Sequence, residues 1–295
     1  MLKTIRERPG LQGILLISPT MFWLTVFLLI PLALIVVISF GARGSYGNVV
    51  YTFRLSNYAR LFDAEYAGIL WDSIWIALLT TLACILAGYP LAYFIARSHP
   101  MRRSFFMFLI LIPFWTNFLI RIYAWMIILR GEGVLNAVMT AVGLMNTSVG
   151  QWLFEQVQLY TPGAVLVGMV YEFLPFMILP LYTSLEKLDP SLLEAAADLG
   201  ARPWRAFLRV TLPLSLPGIV AGSILVFIPA MGMFVVPDLM GGAKTVLVGN
   251  LIKNQFFTAR DWPFGSAASM VLMALTLVVT LIYTRTFGFG EELVP

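Results

Sequence analysis

Charged residues are scarce in this sequence. Asp, Glu, Lys and Arg make up 12% of its 295 residues, whereas 60% are hydrophobic. Soluble domains are about a quarter charged, and a soluble fold of this length would have too few polar residues to cover its surface. The composition therefore excludes an ordinary soluble domain and indicates a membrane protein.

Cysteine and histidine are almost absent, with Cys84 and His99 as the single examples. One cysteine makes no intrachain disulfide, and Cys84 lies in an apolar run, where a small buried side chain is expected. His99 has no Cys or acidic neighbour at ligand spacing, which argues against a metal site. The chain also lacks a convergent set of nucleophile, base or metal ligands, so a membrane-embedded enzyme is a weak alternative. A membrane scaffold is another alternative.

Six apolar stretches are long enough to cross a hydrocarbon core of about 30 Å as helices rising about 1.5 Å per residue. They are 14–40, 68–96, 104–130, 162–185, 216–240 and 266–287. Helices are expected because a single segment in lipid must satisfy its own backbone hydrogen bonds. The alternating ten-residue segments of a membrane β-barrel are not seen. The sequence predicts an all-α integral membrane fold with six transmembrane helices.

The distribution of Lys and Arg predicts the orientation of these helices, because loops on the cytoplasmic side carry an excess of both. With the N-terminus inside, the inner segments hold eleven, including Lys3, Arg6 and Arg8, and the outer segments hold six. We therefore expect both termini in the cytoplasm. The first apolar run is too long for a signal peptide and lacks an A-x-A cleavage pattern, which favours a retained anchor. Residues 1–65 are predicted to form this anchor and the first external loop, and residues 66–295 the core membrane domain.

The stretch EAAADLGARPWRAFLRVTLP, from Glu194 to Pro213, interrupts the apolar pattern with charged and small residues. A helix is predicted to begin just before it. Either Ser191 and Glu194 form a capping box, or Asp189 caps the helix with Pro190 at its first position. Residues 189–213 are therefore predicted to form a hairpin on the cytoplasmic side.

Glycine and proline divide this hairpin into two helices. Gly200 is predicted to end the first, Pro203 to begin the second, and Pro213 to close it. The basic residues of the second helix are Arg202, Arg205 and Arg209. A basic amphipathic surface can lie on lipid headgroups or dock on a protein, and the pattern alone leaves both alternatives open.

The spacing Glu-Ala-Ala, three residues, Gly, nine residues, Val-x-Leu-Pro resembles the EAA loop of ABC-importer permeases, which have Ile where this chain has Val210. In that family the hairpin seats on the ATP-hydrolysing subunit. The residues that the resemblance assigns to ATPase coupling are Glu194, Ala195, Ala196, Asp198, Gly200, Arg202, Arg205, Leu212 and Pro213.

Further motifs resemble the spermidine/putrescine branch of these permeases. They are NYARLFD (57–63), PFWTNFLIRIYAW (113–125), DLMGGAK (238–244) and RDWPFGSA (260–267). The resemblance implies a type I importer architecture in the bacterial inner membrane. It implies as partners a second, paralogous permease, two ATPase subunits and an external solute-binding protein, with no nucleic acid. ATP and Mg²⁺ would bind to the ATPase and no cofactor to this chain, whose GGAKT segment does not satisfy the phosphate-loop pattern.

Three charged residues inside the predicted spans stand out, because a charge at the bilayer centre costs about 2.5–3.5 kcal/mol on insertion scales. Glu172 and Asp238 could line the pathway and compensate a cationic substrate. Arg121 could instead pair with one of these carboxylates and pin two helices, or face the pore, which would favour an importer for an organic anion or a modified amino acid. The other candidate pathway residues are Trp115, Asn117, Tyr123 and Tyr171. The amphipathic pieces within 131–161 and 241–265 are predicted to be helices at the outer mouth.

Overall fold

The structure is a computed structural model that describes residues 9–287. Its α-helices are α1 Pro9–Leu24, α2 Ile30–Ser39, α3 Ser56–Arg60, α4 Ala64–Ala96, α5 Pro100–Leu111, α6 Phe118–Ile128, α7 Val134–Ala141, α8 Ser148–Val157, α9 Pro162–Glu186, α10 Ser191–Asp198, α11 Pro203–Ala206, α12 Leu212–Leu214, α13 Leu216–Gly232, α14 Val248–Phe257 and α15 Trp262–Phe287. A short hairpin pairs β1 Ala42–Arg43 with β2 Val49–Val50. The predicted all-α architecture is confirmed. Lys3, Arg6 and Arg8 lie outside the described residues.

The chain forms two compact units. One contains the described residues up to Asp63 together with Ile252–Ala274, and the other contains Ala64–Leu251 and the described residues from Leu275 onward. The predicted division into 1–65 and 66–295 stays a prediction.

Side chains from two of the quoted motifs meet in the first unit. Arg60, from NYARLFD, forms an ion pair with Asp261, from RDWPFGSA, at 2.9 Å. The Arg60 guanidinium also lies 4.0 Å from the ring centre of Phe264. Asn57 donates hydrogen bonds to the carbonyls of Ser39 and Gly41 at 2.9 and 2.8 Å. These two motifs therefore hold the fold of this unit together.

The core of the second unit is formed by α4, α9 and α13. Glycines spaced four residues apart on α13 let it approach α9 closely, as small residues do between membrane helices. A Cβ at Gly218 would lie 2.8 Å from the carbonyl oxygen of Pro180, and one at Gly222 would lie 2.6 Å from the sulfur of Met177. The G-x-x-x-G spacing of these glycines is the sequence signal for this contact.

Four helices of the described chain are long and apolar enough to span a membrane, and the number rises to six if each of two bent pairs is one span. The predicted span 104–130 is one of these pairs, because α5 and α6 meet at 93°. A 3₁₀ turn, Ile112–Trp115, separates them, with Pro113 inside it. The Asn117 side chain caps the start of α6 by accepting from the Leu119 amide at 2.8 Å.

The predicted span 216–240 is wrong at its far end, because α13 stops at Gly232 and a separate π-helical turn covers Pro237–Gly241. Pro237 has no amide hydrogen with which to continue a helix. Asn250, from α14, donates to the carbonyl of Phe234 at 2.8 Å, and the same carbonyl accepts the Asp238 amide at 3.0 Å. The amphipathic pieces predicted to be helices are present as α7 and α14, and their place at the outer mouth stays a prediction.

Candidate functional site

The first helix of the hairpin, α10, begins at Ser191 and is capped by Asp189. The Ser191 amide donates to Asp189 Oδ1 at 2.9 Å. The Asp189 alternative is therefore confirmed in its hydrogen bond, but the predicted start at Pro190 is one residue too early. The capping box does not form because Ser191 is already the first helical residue. This hydrogen bond to the charged carboxylate holds the pKa of Asp189 below its ordinary value.

Gly200 ends α10 in a left-handed conformation, with φ of +75°. The Gly200 amide donates to the carbonyl of Ala197 at 2.8 Å, and the Ala201 amide donates to that of Ala196 at 2.9 Å. This paired pattern is the Schellman motif, in which glycine carries no Cβ penalty. The predicted end of the first helix is confirmed.

The second helix begins at Pro203, as predicted, but it continues past Pro213 to Leu214. A π-helical turn, Phe207–Thr211, joins α11 to α12. Because Pro213 lacks an amide hydrogen, the regular helical ladder is broken there without ending the helix. The chain then bends by 60° at Ser215 before α13 begins. The prediction that Pro213 closes the helix is therefore corrected.

Most residues that the sequence assigns to coupling lie on the surface of the hairpin. Ala196 and Leu212 are half-buried. The exposed ones are Glu194, Ala195, Asp198, Gly200, Arg202, Arg205 and Pro213. The hairpin thus presents acidic, small and basic groups together on a surface that is open in this chain.

The base of the hairpin packs on α4 through aromatic rings and one hydrogen bond, a contact that sequence reasoning missed. The ring of Phe207 makes edge contacts with Tyr89 and Tyr93, at centroid distances of 5.6 and 6.2 Å. The hydroxyls of Tyr89 and Ser215 are 2.8 Å apart. Phe207 belongs to the apolar face of the second helix, but no local signal in the sequence identifies its partners.

Arg121 and Glu172 form a buried ion pair. Arg121 Nη2 donates to Glu172 Oε1 at 2.6 Å, and their side chains are 9% and 11% exposed. Arg121 Nη1 also donates to the carbonyl of Pro113, at the break between α5 and α6, at 3.0 Å. Of the alternatives for Arg121, the structure matches the one in which it pins two helices. The Glu172 carboxylate has its compensating charge inside the protein.

The remaining polar and aromatic candidates differ in their exposure. Trp115 and Tyr123 are 80% and 50% exposed, respectively. Tyr171 is half-buried and packs edge-on against Trp125, with the ring centres 5.4 Å apart. Asn117 is exposed at the start of α6. The structure brings Arg121 and Glu172 together. The substrate contacts predicted for this pair and for the other candidates stay predictions.

Asp238 occupies a different setting, on the π-helical turn beyond α13. Its side chain is exposed, and its carboxylate accepts a hydrogen bond from Asn250 Nδ2. Asn250 is buried and also accepts from the Leu247 amide at 3.2 Å, so its amide group is fixed in orientation. The arrangement holds an exposed carboxylate in place. Within residues 9–287, His, Cys, Asp and Glu form no group of three that could hold a metal ion.

Comparisons with known proteins agree on the family. The chain is 47% identical over 263 residues to the spermidine/putrescine transport system permease protein PotB of Salmonella typhimurium, covering 89% of each chain. It is 46% identical to PotB of Escherichia coli K12, covering 89% of this chain and 93% of that protein. It is 32% identical to the inner membrane ABC transporter permease protein YdcU of the same organism, covering 83% and 80%.

Solved structures share the fold. A chain of a bacterial ABC transporter that imports the acidic polysaccharide alginate superposes with a TM-score of 0.69 at 17% identity, covering 98% of this chain and 99% of that one. A second structure of an alginate transporter, with a pentasaccharide-bound periplasmic protein, gives 0.70 at 18% identity. A family model described as "Binding-protein-dependent transport system inner membrane component" matches residues 85–286. The chain therefore belongs to this family of inner-membrane components of binding-protein-dependent transport systems.

Proposed function

We propose that this chain is the permease subunit of an ATP-driven importer of polyamines of the spermidine and putrescine class. The observation that carries the proposal is the 47% identity, over 89% of the chain, to spermidine/putrescine permeases. An ABC-importer permease works with an ATPase and a periplasmic binding protein, and it is a translocation subunit rather than an enzyme. ATP and Mg²⁺ bind to the ATPase partner. A second, paralogous permease completes the pathway.

The charges near the predicted pathway support a cationic substrate. Arg121 is neutralised by Glu172, which removes the feature that favoured an anion importer. Asp238 keeps an exposed carboxylate that a primary ammonium group can reach. Trp115 and Tyr123 have exposed rings, which can make cation–π contacts with a cationic substrate. The alginate transporters share 17% and 18% identity with this chain, which supports the fold alone and carries no argument for an anionic substrate.

The hairpin 189–213 is the coupling element, and it docks on the ATPase at the cytoplasmic side of the membrane. Its exposed surface of Glu194, Ala195 and Arg205 supports this role, and the excess of Lys and Arg on the hairpin side of the spans supports the orientation. ATP hydrolysis moves the paired hairpins of the two permeases, and the spans alternate between inward-open and outward-open states. Both termini of the chain then lie in the cytoplasm.

A bulky substitution on the hairpin tests this role. Gly200→Arg should abolish uptake while the permease still inserts and assembles, because it places a large side chain on the docking surface. The matched control is Gly143→Arg, since Gly143 also has positive φ, +79°, and a Cβ there would meet no atom within 4 Å, as at Gly200. The control carries the same backbone strain within the predicted external segment. Normal uptake by Gly200→Arg, or equal loss in the control, would contradict the coupling role.

The substrate class is tested by uptake of radiolabelled putrescine and spermidine into cells that express this chain with its partner subunits, compared with cells lacking this chain alone. Uptake that depends on the chain and on ATP is the expected result. An intact complex that takes up neither polyamine would contradict the substrate and retain the family assignment. Competition by unlabelled organic anions or modified amino acids then identifies which alternative solute is carried.

A further inference from the structure

Ser215 lies at the joint between the hairpin and α13. It is the single residue between α12 and α13, the chain bends there by 60°, and its side chain is fully buried. Its hydroxyl donates to the carbonyl of Leu212 at 3.0 Å. A serine hydroxyl has one proton, so the Tyr89 hydroxyl must be the donor in the 2.8 Å bond between Tyr89 and Ser215. The joint is therefore bonded directly to α4.

Aromatic packing surrounds this hydrogen bond. Phe207 contacts the rings of Tyr89 and Tyr93, which are one helical turn apart on α4. Trp204 stacks on Phe207, with ring centres 5.8 Å apart. The second hairpin helix thus contacts α4 in two ways. The ring contacts can slide when the helix is displaced, whereas the Tyr89–Ser215 hydrogen bond has a defined direction and opposes the displacement.

The backbone that leads from the second hairpin helix to α13 is not a continuous regular helix. The π-helical turn Phe207–Thr211 precedes Pro213, and both features loosen a helical hydrogen-bond ladder. Thr211, at the end of this turn, is 1% exposed, and its hydroxyl makes no hydrogen bond within the described structure. A hairpin held only by this segment could pivot at Ser215 without moving α4.

We propose that Tyr89 is a positioning residue for transport: its hydrogen bond to Ser215 makes α4 follow the hairpin when the ATPase moves it. The inference rests on the coupling role proposed for residues 189–213. With the bond in place, a displacement of the hairpin is applied to α4 and α13 together. Without it, the hairpin pivots at Ser215, so the ATPase completes cycles in which α4 does not move.

The test measures the number of ATP molecules hydrolysed per substrate molecule imported, using the reconstituted complex with its binding protein. Tyr89→Phe keeps the ring and removes the donor, and Ser215→Ala removes the acceptor. Each should raise the ratio about five-fold, which is the shift that the loss of one hydrogen bond of about 1 kcal/mol produces. The double variant should match the single variants, because all three lack the same bond.

The matched control is Tyr58→Phe, which removes a hydroxyl bonded to Ser39 at 2.7 Å in the other compact unit. It should leave the ratio unchanged. Additive effects of Tyr89→Phe and Ser215→Ala, an equal rise in the control, or an unchanged ratio would each overturn the inference. So would a lower yield of complex with a normal ratio, since that is the mark of a purely structural bond.

Gly200→Arg separates this inference from the proposal beneath it. If Gly200→Arg abolishes uptake and Tyr89→Phe leaves the ratio normal, the hairpin couples transport but the Tyr89 bond does not transmit its movement. If Gly200→Arg transports normally, the coupling role of the hairpin itself fails.

Discussion

Replacing Arg121 by Met should destabilise the packing of the second unit. The side chains of Arg121 and Glu172 are about nine-tenths buried and 2.6 Å apart, so the substitution leaves a buried carboxylate without its counter-charge. Breaking a buried pair from one side costs about 3–5 kcal/mol. The carbonyl of Pro113 also loses a donor, which adds about 1 kcal/mol. At 1.4 kcal/mol per factor of ten, even the lower figure raises the population of an opened state by about 100-fold.

Cys84 provides the assay, because it is the one cysteine of the chain and is fully buried. Its thiol lies 3.7 Å from the carbonyl oxygen of Val170 on α9, two residues before Glu172. A membrane-permeant maleimide can react with it only when α4 and α9 separate. Arg121→Met should therefore increase the labelling rate of the purified protein about 100-fold or more.

The double variant Arg121→Met/Glu172→Leu separates charge from packing. Replacing both partners of a buried pair by apolar residues is often close to neutral for stability. The labelling rate of the double variant should therefore return to within about ten-fold of the rate of the unsubstituted chain. The remaining difference comes from the Pro113 carbonyl, which has lost its donor. Labelling of Arg121→Met at the unsubstituted rate would refute the pinning role. A double variant labelled as fast as Arg121→Met would show that lost volume, rather than an unpaired charge, is responsible.

Three further outcomes are expected. Gly218→Ala should lower the yield of folded permease, since the new Cβ would lie 2.8 Å from a backbone oxygen of α9. Gly232→Ala should not lower it, because a Cβ at Gly232 would meet no atom within 4 Å. Size-exclusion profiles of the two variants test this difference. Asp189→Ala should weaken binding of the ATPase to the hairpin, because it removes the cap of α10. Since the pKa of Asp189 is depressed, the cap is present above the ordinary carboxyl pKa and is lost as pH falls through the lowered pKa. Binding by the parent chain should decline in that pH range, whereas binding by Asp189→Asn should not. Asp238→Asn should raise the KM for polyamine uptake by about 10- to 100-fold, the loss of one charge-assisted bond, with complex yield unchanged. Equal loss of yield and uptake would assign Asp238 a structural role.

Features set by neighbouring residues could be predicted from the sequence. The ends of α10 depend on Asp189 and Gly200, whose capping preferences act over one helical turn, and the structure has the Asp189 hydrogen bond at one end and the left-handed Gly200 at the other. The start of the second hairpin helix follows from Pro203 in the same way. Local chemistry therefore defines the first hairpin helix and where the second begins.

Features that depend on distant residues could not be predicted. The apolar composition continues to Met240, yet α13 ends at Gly232, and Asn250 from a later helix donates to the carbonyl of Phe234 just beyond that end. Sequence alone left two roles open for Arg121, because the choice depends on Glu172, 51 residues away. Tyr89 and Ser215 are 126 residues apart and have no pattern in common.

Some of the motifs that resemble the polyamine branch stabilise the fold, and another presents an exposed charge. This difference narrows the search for residues that contact the substrate. NYARLFD and RDWPFGSA contribute Arg60 and Asp261 to each other's packing, so their presence is explained by the fold without a ligand. DLMGGAK contributes Asp238, whose exposed carboxylate is held in orientation by Asn250. Orienting an exposed charge costs side-chain freedom that a surface carboxylate ordinarily keeps. A cation with defined geometry, such as a terminal ammonium of a polyamine, is the ligand that such preorganisation favours.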